Sequence, residues 1–226
     1  MRYDNIYRAE FISRPNRFIA NISINGDEQV CHVKNTGRCR ELLIPGAEIL
    51  VQRCDAPGRK TQWDLISVYK GERLINMDSA APNKIFGEYV KSGAFMGEVS
   101  LIRPEKVWGD SRLDFYIEAG QRRGFAEVKG VTLEDNGVVR FPDAPTLRGT
   151  RHLHTLAECV KAGFEAWAVF IVQMEGVEYL EPNRKTDPDF AMALEQAHTA
   201  GVNILALDCR VTESEIWAAS PVPVRI

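Results

Sequence analysis

Over residues 18–24, Phe18, Ala20, Ile22 and Ile24 alternate with Ile19, Asn21 and Ser23, the period of two that belongs to a half-buried strand. Asn25-Gly26 supplies a turn, and residues 30–33 answer as the returning strand. Asn35-Thr36-Gly37 reads as a loop and residues 38–43 as a short helix, stopped by Pro45-Gly46. Residues 49–52, 63–69 and 73–77 add three more strands. Five short strands with one small helix predict a compact barrel of the OB type over residues 1–82, with an SH3-like barrel as the alternative.

The pattern changes after Ser79-Ala80-Ala81-Pro82-Asn83. Asn83 is placed to cap a helix whose apolar face is Ile85, Phe86, Tyr89 and Val90. Residues 83–226 then read as strand, strand, strand, helix, strand, helix, strand. The helix over 146–161 turns Leu153, Leu156, Ala157 and Val160 inward. Residues 166–172 form an apolar run with almost no polar interruption, as expected of a strand covered on both faces. Asp187-Pro188 opens a further helix that buries Phe190, Leu194 and Ala197 and closes at Gly201, and residues 202–207 make another buried strand. This order predicts a layered α/β domain behind the barrel.

Composition narrows the function classes. At 226 residues, 45% hydrophobic and 26% charged, the chain has enough apolar material for one large or two small cores. The apolar run at 166–172 is far short of the roughly 20 residues of a membrane span. The first twenty residues scatter charge through any apolar region, so a cytoplasmic protein without a membrane partner is expected. Five cysteines (Cys31, Cys39, Cys54, Cys159 and Cys209) are odd in number and share no repeated spacing, which favours reduced thiols. Cys31, His32 and Cys39 fit no compact zinc pair. Residues 1–82 carry 12 basic and 10 acidic side chains, and residues 83–226 carry 16 and 21. The halves are therefore +2 and −5, and any nucleic-acid contact must use a local basic patch.

The segment 111–130 carries the chemistry. Residues 111–118 and 125–130 read as two strands joined by a turn over 119–124. In the first, Arg112, Asp114 and Tyr116 share a face; in the second, Glu127 and Lys129 do. Asp114 and Glu127 then stand side by side, with Lys129 one step along. Two ionised carboxylates about 4 Å apart repel by roughly 4 kcal/mol at an effective dielectric near 20. A hard divalent cation, Mg²⁺ or Mn²⁺, offsets this and activates water beside a phosphoryl oxygen. Lys129 is the candidate for orienting that water or neutralising the scissile phosphate. The plain alternative is a solvated ion pair on a surface hairpin. Glu88 on the preceding helix is a further candidate for the acidic cluster, with a surface role as its alternative. Arg148, Arg151, His152 and Thr155 fall at i, i+3, i+4 and i+7 on the following helix, a polar stripe suited to phosphate. In the barrel, Arg14, Arg17, Lys34, Arg38 and Arg40 interleave with Phe11 and Phe18, as in small barrels that stack bases on aromatic rings.

Four ordered blocks, FISRPNRF at 11–18, HVKNTGRCRELL at 32–43, RLDFYIE and FAEVKGVTL in the hairpin, and FPDAPTLRGTRHL at 141–153, resemble the sugar fermentation stimulation protein A family. The resemblance spans essentially the whole chain. It implies an N-terminal OB-like domain and a C-terminal domain similar to PD-(D/E)xK nucleases. It also implies DNA binding with little sequence preference and a regulatory link to maltose metabolism. By the nuclease pattern Asp114, Glu127 and Lys129 are the matching positions, and the Val128 carbonyl is the additional metal ligand. Leu113 stands where that pattern has a proline.

The expectation is therefore a DNA-binding protein with a metal-dependent phosphodiesterase-type site, its substrate extending to single-stranded DNA or RNA. The alternative is a DNA-binding regulator whose carboxylate–lysine site is structural or vestigial. A sugar or nucleotide sensor lacks support, since no Gly-rich phosphate loop is present.

Overall fold

The computed structural model describes residues 1–35, 37–55 and 57–226. Thr36, in the loop expected at 35–37, lies outside the described residues. The first unit contains β1 (Ile6–Asn16), β2 (Ile19–Ile24), β3 (Asp27–Val33), β4 (Glu48–Arg53), β5 (Trp63–Lys70) and β6 (Arg73–Asn76). β1 pairs with β2 and β4, β2 with β3, and β4 with β5. A parallel pairing of β3 with β5, Cys31 opposite Trp63, closes the ring. Its membership differs from the sequence expectation. β1 is an unforeseen central strand, whereas β6 lies outside the closed ring and only extends β5 as a hairpin. Phe11, Ile22, Ile49, Leu65 and Val68 fill the interior. The helix expected at 38–43 is instead a turn, in which Leu43 N–H donates to the Cys39 carbonyl at 2.9 Å. Cys39 sits at φ +44°, in the left-handed region that a right-handed helix cannot use.

The second unit follows as α1 (Ala81–Lys91), β7 (Leu101–Trp108), β8 (Ser111–Ala119), β9 (Arg122–Val131), β10 (Leu133–Asp135), β11 (Val138–Phe141), α2 (Leu147–Lys161), β12 (Glu165–Val172), β13 (Tyr179–Pro182), α3 (Pro188–Thr199), β14 (Asn203–Val211) and β15 (Ile216–Pro221). Six strands form a mixed sheet in the order β15-β14-β12-β9-β8-β7, with β9, β12 and β14 parallel. β10, β11 and β13 make a small separate sheet that the hydrophobic pattern did not signal. α1 packs on one face, placing Ile85, Phe86 and Val90 against Phe115, Ala126, Val128 and Val169. α2 and α3 cover the other face, with Leu153, Leu156, Phe190 and Leu194 over Phe125, Ala168 and Phe170. β12 is apolar in both directions because both faces are covered, as its sequence predicts.

Helix starts follow ordinary capping chemistry with one exception. Thr146 accepts the Gly149 N–H at the start of α2, and Asp187 accepts the Phe190 N–H at the start of α3. The other Asp187 carboxylate oxygen accepts the Thr146 N–H at 2.8 Å, so one residue fixes both helix entries. Asn83 does not cap α1. Pro82 already lies in the first turn and Ala80 occupies the cap position, leaving the Asn83 amide free for another partner.

Buried polar groups join the two units. Gln173 donates to the Asn76 side chain at 2.8 Å and to the Asp78 carbonyl at 3.1 Å, and Asn76 donates to the Tyr3 hydroxyl. Lys34 reaches the fully buried Asp78 carboxylate at 2.7 Å. Glu134 on β10 takes Lys70 and Arg73 of the barrel, each at 2.6 Å. Residues 1–4 lie against the second unit, where Tyr3 N–H donates to the Ser214 carbonyl. Among the described residues no helix is long and apolar enough to cross a membrane.

Candidate functional site

The β8–β9 hairpin is tighter than its sequence implies, because Ala119 pairs with Arg122 and only Gly120 and Gln121 turn. Regular pairing runs from there to Phe115 opposite Ala126. The next residues along are Asp114 and Glu127. Here the ladder changes character: Val128 N–H donates to the Asp114 carboxylate at 2.8 Å. The second Asp114 oxygen accepts from the Asn83 amide of α1 at 3.0 Å. Asp114 is thus held from two elements at the end of a strand pair.

Glu127 is 4% exposed, beneath α2. Its Oε1 accepts from Lys129 Nζ at 2.5 Å and is bonded to His152 Nδ1. Its Oε2 is buried without a hydrogen-bond partner among the described residues. Burial alone would raise the Glu127 carboxyl, but the His152 hydrogen bond and Lys129 together hold it below the ordinary carboxylate range. Asp114 goes the other way. Burial, then the neighbouring Glu127 charge, push its carboxyl up, against the Val128 and Asn83 hydrogen bonds.

One buried anionic oxygen left without a hydrogen bond, beside a second carboxylate whose charge is disfavoured, is a donor set that fits a hard divalent cation. Asp114 and Glu127 are the side chains positioned for it. No group of three or more Asp, Glu, His or Cys side chains converges on such an ion among the described residues, so the Val128 carbonyl and water would complete its shell.

Other sequence-predicted residues fall differently. Glu88 is half-exposed and takes the Met1 amine at 2.8 Å; α1 presents Asn83, not Glu88, to Asp114. His152 is 2% exposed and faces Glu127, so it does not belong to a phosphate stripe with Arg148 and Arg151, which are exposed. Thr155 likewise turns inward, to Ser111 Oγ at 2.8 Å. Arg14 is a structural clamp rather than a free cation. Its guanidinium donates to the carbonyls of Arg17, Asn35, Gly37 and Arg38. Phe11 is core, but Phe18 is 50% exposed with the Arg17 guanidinium 5.9 Å from its ring centre.

That clamp shapes a groove of about 660 Å³ whose walls include Phe11, Arg17, Arg38, Arg40, Leu43 and Ala144. Arg17, Arg38 and Arg40 are exposed there. The Arg38 N–H donates to Asp143 at 3.2 Å, tying the groove to the segment that leads into α2.

A family model described as the SfsA N-terminal OB domain matches residues 12–77, and one described as the sugar fermentation stimulation protein RE domain matches residues 80–215. The chain belongs to the sugar fermentation stimulation protein family. Within that family, a sugar fermentation stimulation protein homolog of Desulfitobacterium hafniense (strain Y51) is 56% identical over 226 residues, covering 100% of this chain and 99% of the relative. A homolog from Clostridium beijerinckii is 52% identical over 216 residues, 96% of each chain. Pyrococcus furiosus SfsA, solved in complex with Ca²⁺, is 29% identical with a TM-score of 0.91 over 100% of this chain and 98% of that one. Family membership thus accounts for both units, the closed barrel and the α/β layer behind it.

Asn83 and His152 are the site residues whose roles were missed. The Asn83 capping signal is made redundant by Pro82, and helix spacing groups His152 with the arginines although it packs against Glu127.

Proposed function

We propose that this chain is a DNA-binding protein of little sequence preference, with a divalent-metal-dependent phosphodiesterase site at Asp114, Glu127 and Lys129. The observation that carries this reading is the buried, unpartnered Glu127 Oε2 beside Asp114, whose own ionisation is disfavoured. The Ca²⁺ complex of the Pyrococcus furiosus relative supports a hard cation of the same class here. Asp114, Glu127 and the Val128 carbonyl would hold Mg²⁺ or Mn²⁺. When bound, such an ion supplies a water of lowered pKa and charge stabilisation for a phosphoryl oxygen.

The chain's own residues do the rest. His152 and Asn83 fix the two carboxylates from opposite helices. Lys129 brings an ammonium to Glu127, where it neutralises a phosphate oxygen or orients the attacking water. Arg148 and Arg151 on α2, with Arg17, Arg38 and Arg40 in the barrel groove, supply phosphate contacts that carry no sequence information. The family resemblance alone supports a regulatory setting in maltose metabolism. The bonds from Lys129 and His152 to Glu127 are also what a structural site would contain, so a non-catalytic DNA-binding regulator is the second reading.

Titration calorimetry should show Mn²⁺ binding to the parent, lost in Asp114→Asn. Metal-dependent cleavage of single- or double-stranded DNA, or of RNA, should vanish in Lys129→Ala. Absence of Mn²⁺ binding at millimolar concentration sinks the metal site. Binding of metal and DNA without cleavage moves the chain to the regulator reading.

A further inference from the structure

The sheet face that carries Glu127 and Lys129 holds a second feature. Phe125, two residues before Glu127 in β9, turns to the same side by strand alternation, and its Cα partner across the ladder is Tyr116. Trp108 from β7 and Phe164, just beyond α2, complete an aromatic cluster with ring centres 5.0–5.4 Å from Phe125. The rings meet edge to face or tilted rather than stacked. Beside the cluster lies a pocket of about 280 Å³ lined by the four rings, with Arg103, Lys106 and Glu118 also in its walls. Arg123 stands 5.0 Å over the Phe164 ring, and Arg103 and Arg123 flank Tyr116. All three cations are exposed. Glu118 accepts the Tyr116 hydroxyl at 2.7 Å, and Glu105 pairs with Arg112 at 3.1 Å.

A small aromatic slot with three exposed cations against one carboxylate calls for a flat, polar-edged ring that belongs to an anion. An aliphatic ligand gains nothing from the cations, and an uncharged sugar, although its C–H face stacks on rings, leaves the cations without an anion. A nucleobase on a phosphodiester strand satisfies both, because every base has a π-face and the backbone supplies the negative charge. The volume of about 280 Å³ lies just below the usual range of ligand pockets, room for a single base. Along the ladder, the Tyr116–Phe125 pair is two residues, about 7 Å, from Asp114 and Glu127.

We propose that this pocket takes an unpaired nucleobase from a strand whose phosphate lies at Asp114 and Glu127, which makes single-stranded nucleic acid, or a duplex opened locally, the substrate class. The proposal rests on the phosphodiesterase reading of the carboxylate pair. A base seated against these rings has left its stack and its pairing partner, so an intact duplex cannot fill the site.

The test uses the full chain with a single-stranded oligonucleotide carrying 5-iodouracil. Irradiation followed by mass spectrometry should place cross-links on peptides containing Trp108, Tyr116 or Phe164. Arg103→Ala combined with Lys106→Ala changes only exposed side chains and should weaken single-strand binding about tenfold, leaving binding of an intact duplex within about twofold. Phe164→Leu, which keeps apolar bulk but removes the ring, should weaken single-strand binding by a similar factor. Cross-links confined to residues 11–45, or a double variant that binds the single strand as the parent does, overturn the proposal. So does a parent that binds no single strand. Mn²⁺ titration of the same variants should match the parent, and it reports on the carboxylate pair independently. An intact titration with cross-links elsewhere refutes the pocket alone, whereas a parent without Mn²⁺ binding refutes the reading on which the pocket rests.

Discussion

A histidine with almost no solvent contact, bonded to a carboxylate from another element, sets that carboxylate's direction. His152→Ala deletes one of two groups on Glu127 Oε1 and leaves a buried acceptor partly unsatisfied. The expected loss is about 1–3 kcal/mol in folding stability. Mn²⁺ affinity should fall roughly 10- to 100-fold, as for other residues that orient a metal ligand. Denaturant unfolding and calorimetry check the two effects separately, and unchanged metal affinity would reduce His152 to a core residue. The pairing of Glu127 with Lys129 is legible in the sequence, since alternation puts residues two apart on one strand face. The His152 contact is not. It spans 25 residues, and a helix register alone does not say which flank of the stripe docks onto the sheet.

Among the elements, β1 is the one the hydrophobic pattern hides. Only Ala9 and Phe11 of its eleven residues are buried; Arg8, Glu10 and Arg14 share the opposite face, but Ile12 stands among them and Ser13 and Pro15 end the apolar side. Its place comes from backbone pairing on both sides, which side-chain pattern does not report. β12 and the α2 and α3 starts are legible because each rests on local chemistry, an unbroken apolar run or a side-chain cap. Packing of β9 against its surroundings leads to a prediction at Gly130. A Cβ there would come within 2.5 Å of Gln173 Oε1 and 2.7 Å of Pro82 Cγ. Gln173 cannot swing away freely, because its amide already serves Asn76 and Asp78. Gly130→Ala should therefore destabilise the fold by about 1–3 kcal/mol in thermal or denaturant unfolding. A neutral result would mean that the Gln173 network yields more easily than its bonds imply.

For the whole molecule, Glu134 is a buried acid that joins the two units. Burial raises its carboxyl, but hydrogen bonds from Lys70 and Gly137 and the Arg73 charge outweigh this and lower it from 4.5 to about 2. A depressed carboxyl contributes stability above its ordinary value and loses it as pH falls toward the depressed one. The contribution should be complete above about pH 5 and disappear between there and about pH 2. Glu134→Gln should cost about 1–3 kcal/mol near neutrality, discounted for the partly exposed Lys70 and Arg73. Its stability should also decline less than the parent's across that acid range. Equal pH profiles for parent and variant would show that the joint gains nothing from this charge.

The contact of Tyr3 with Ser214 has a consequence in time. A chain leaving the ribosome can close its barrel early, since those strands lie within the first 76 residues. The backbone of Met1 to Tyr3, however, finds its partners only once the segment around Ser214 has been made, and the Asn76 N–H waits for the Gln173 carbonyl. The barrel therefore waits, folded but undocked, through most of synthesis. Only near the end are the basic groove and the carboxylate pair locked into one frame, so under the proposed function a nascent chain would grip nucleic acid before it could act on it.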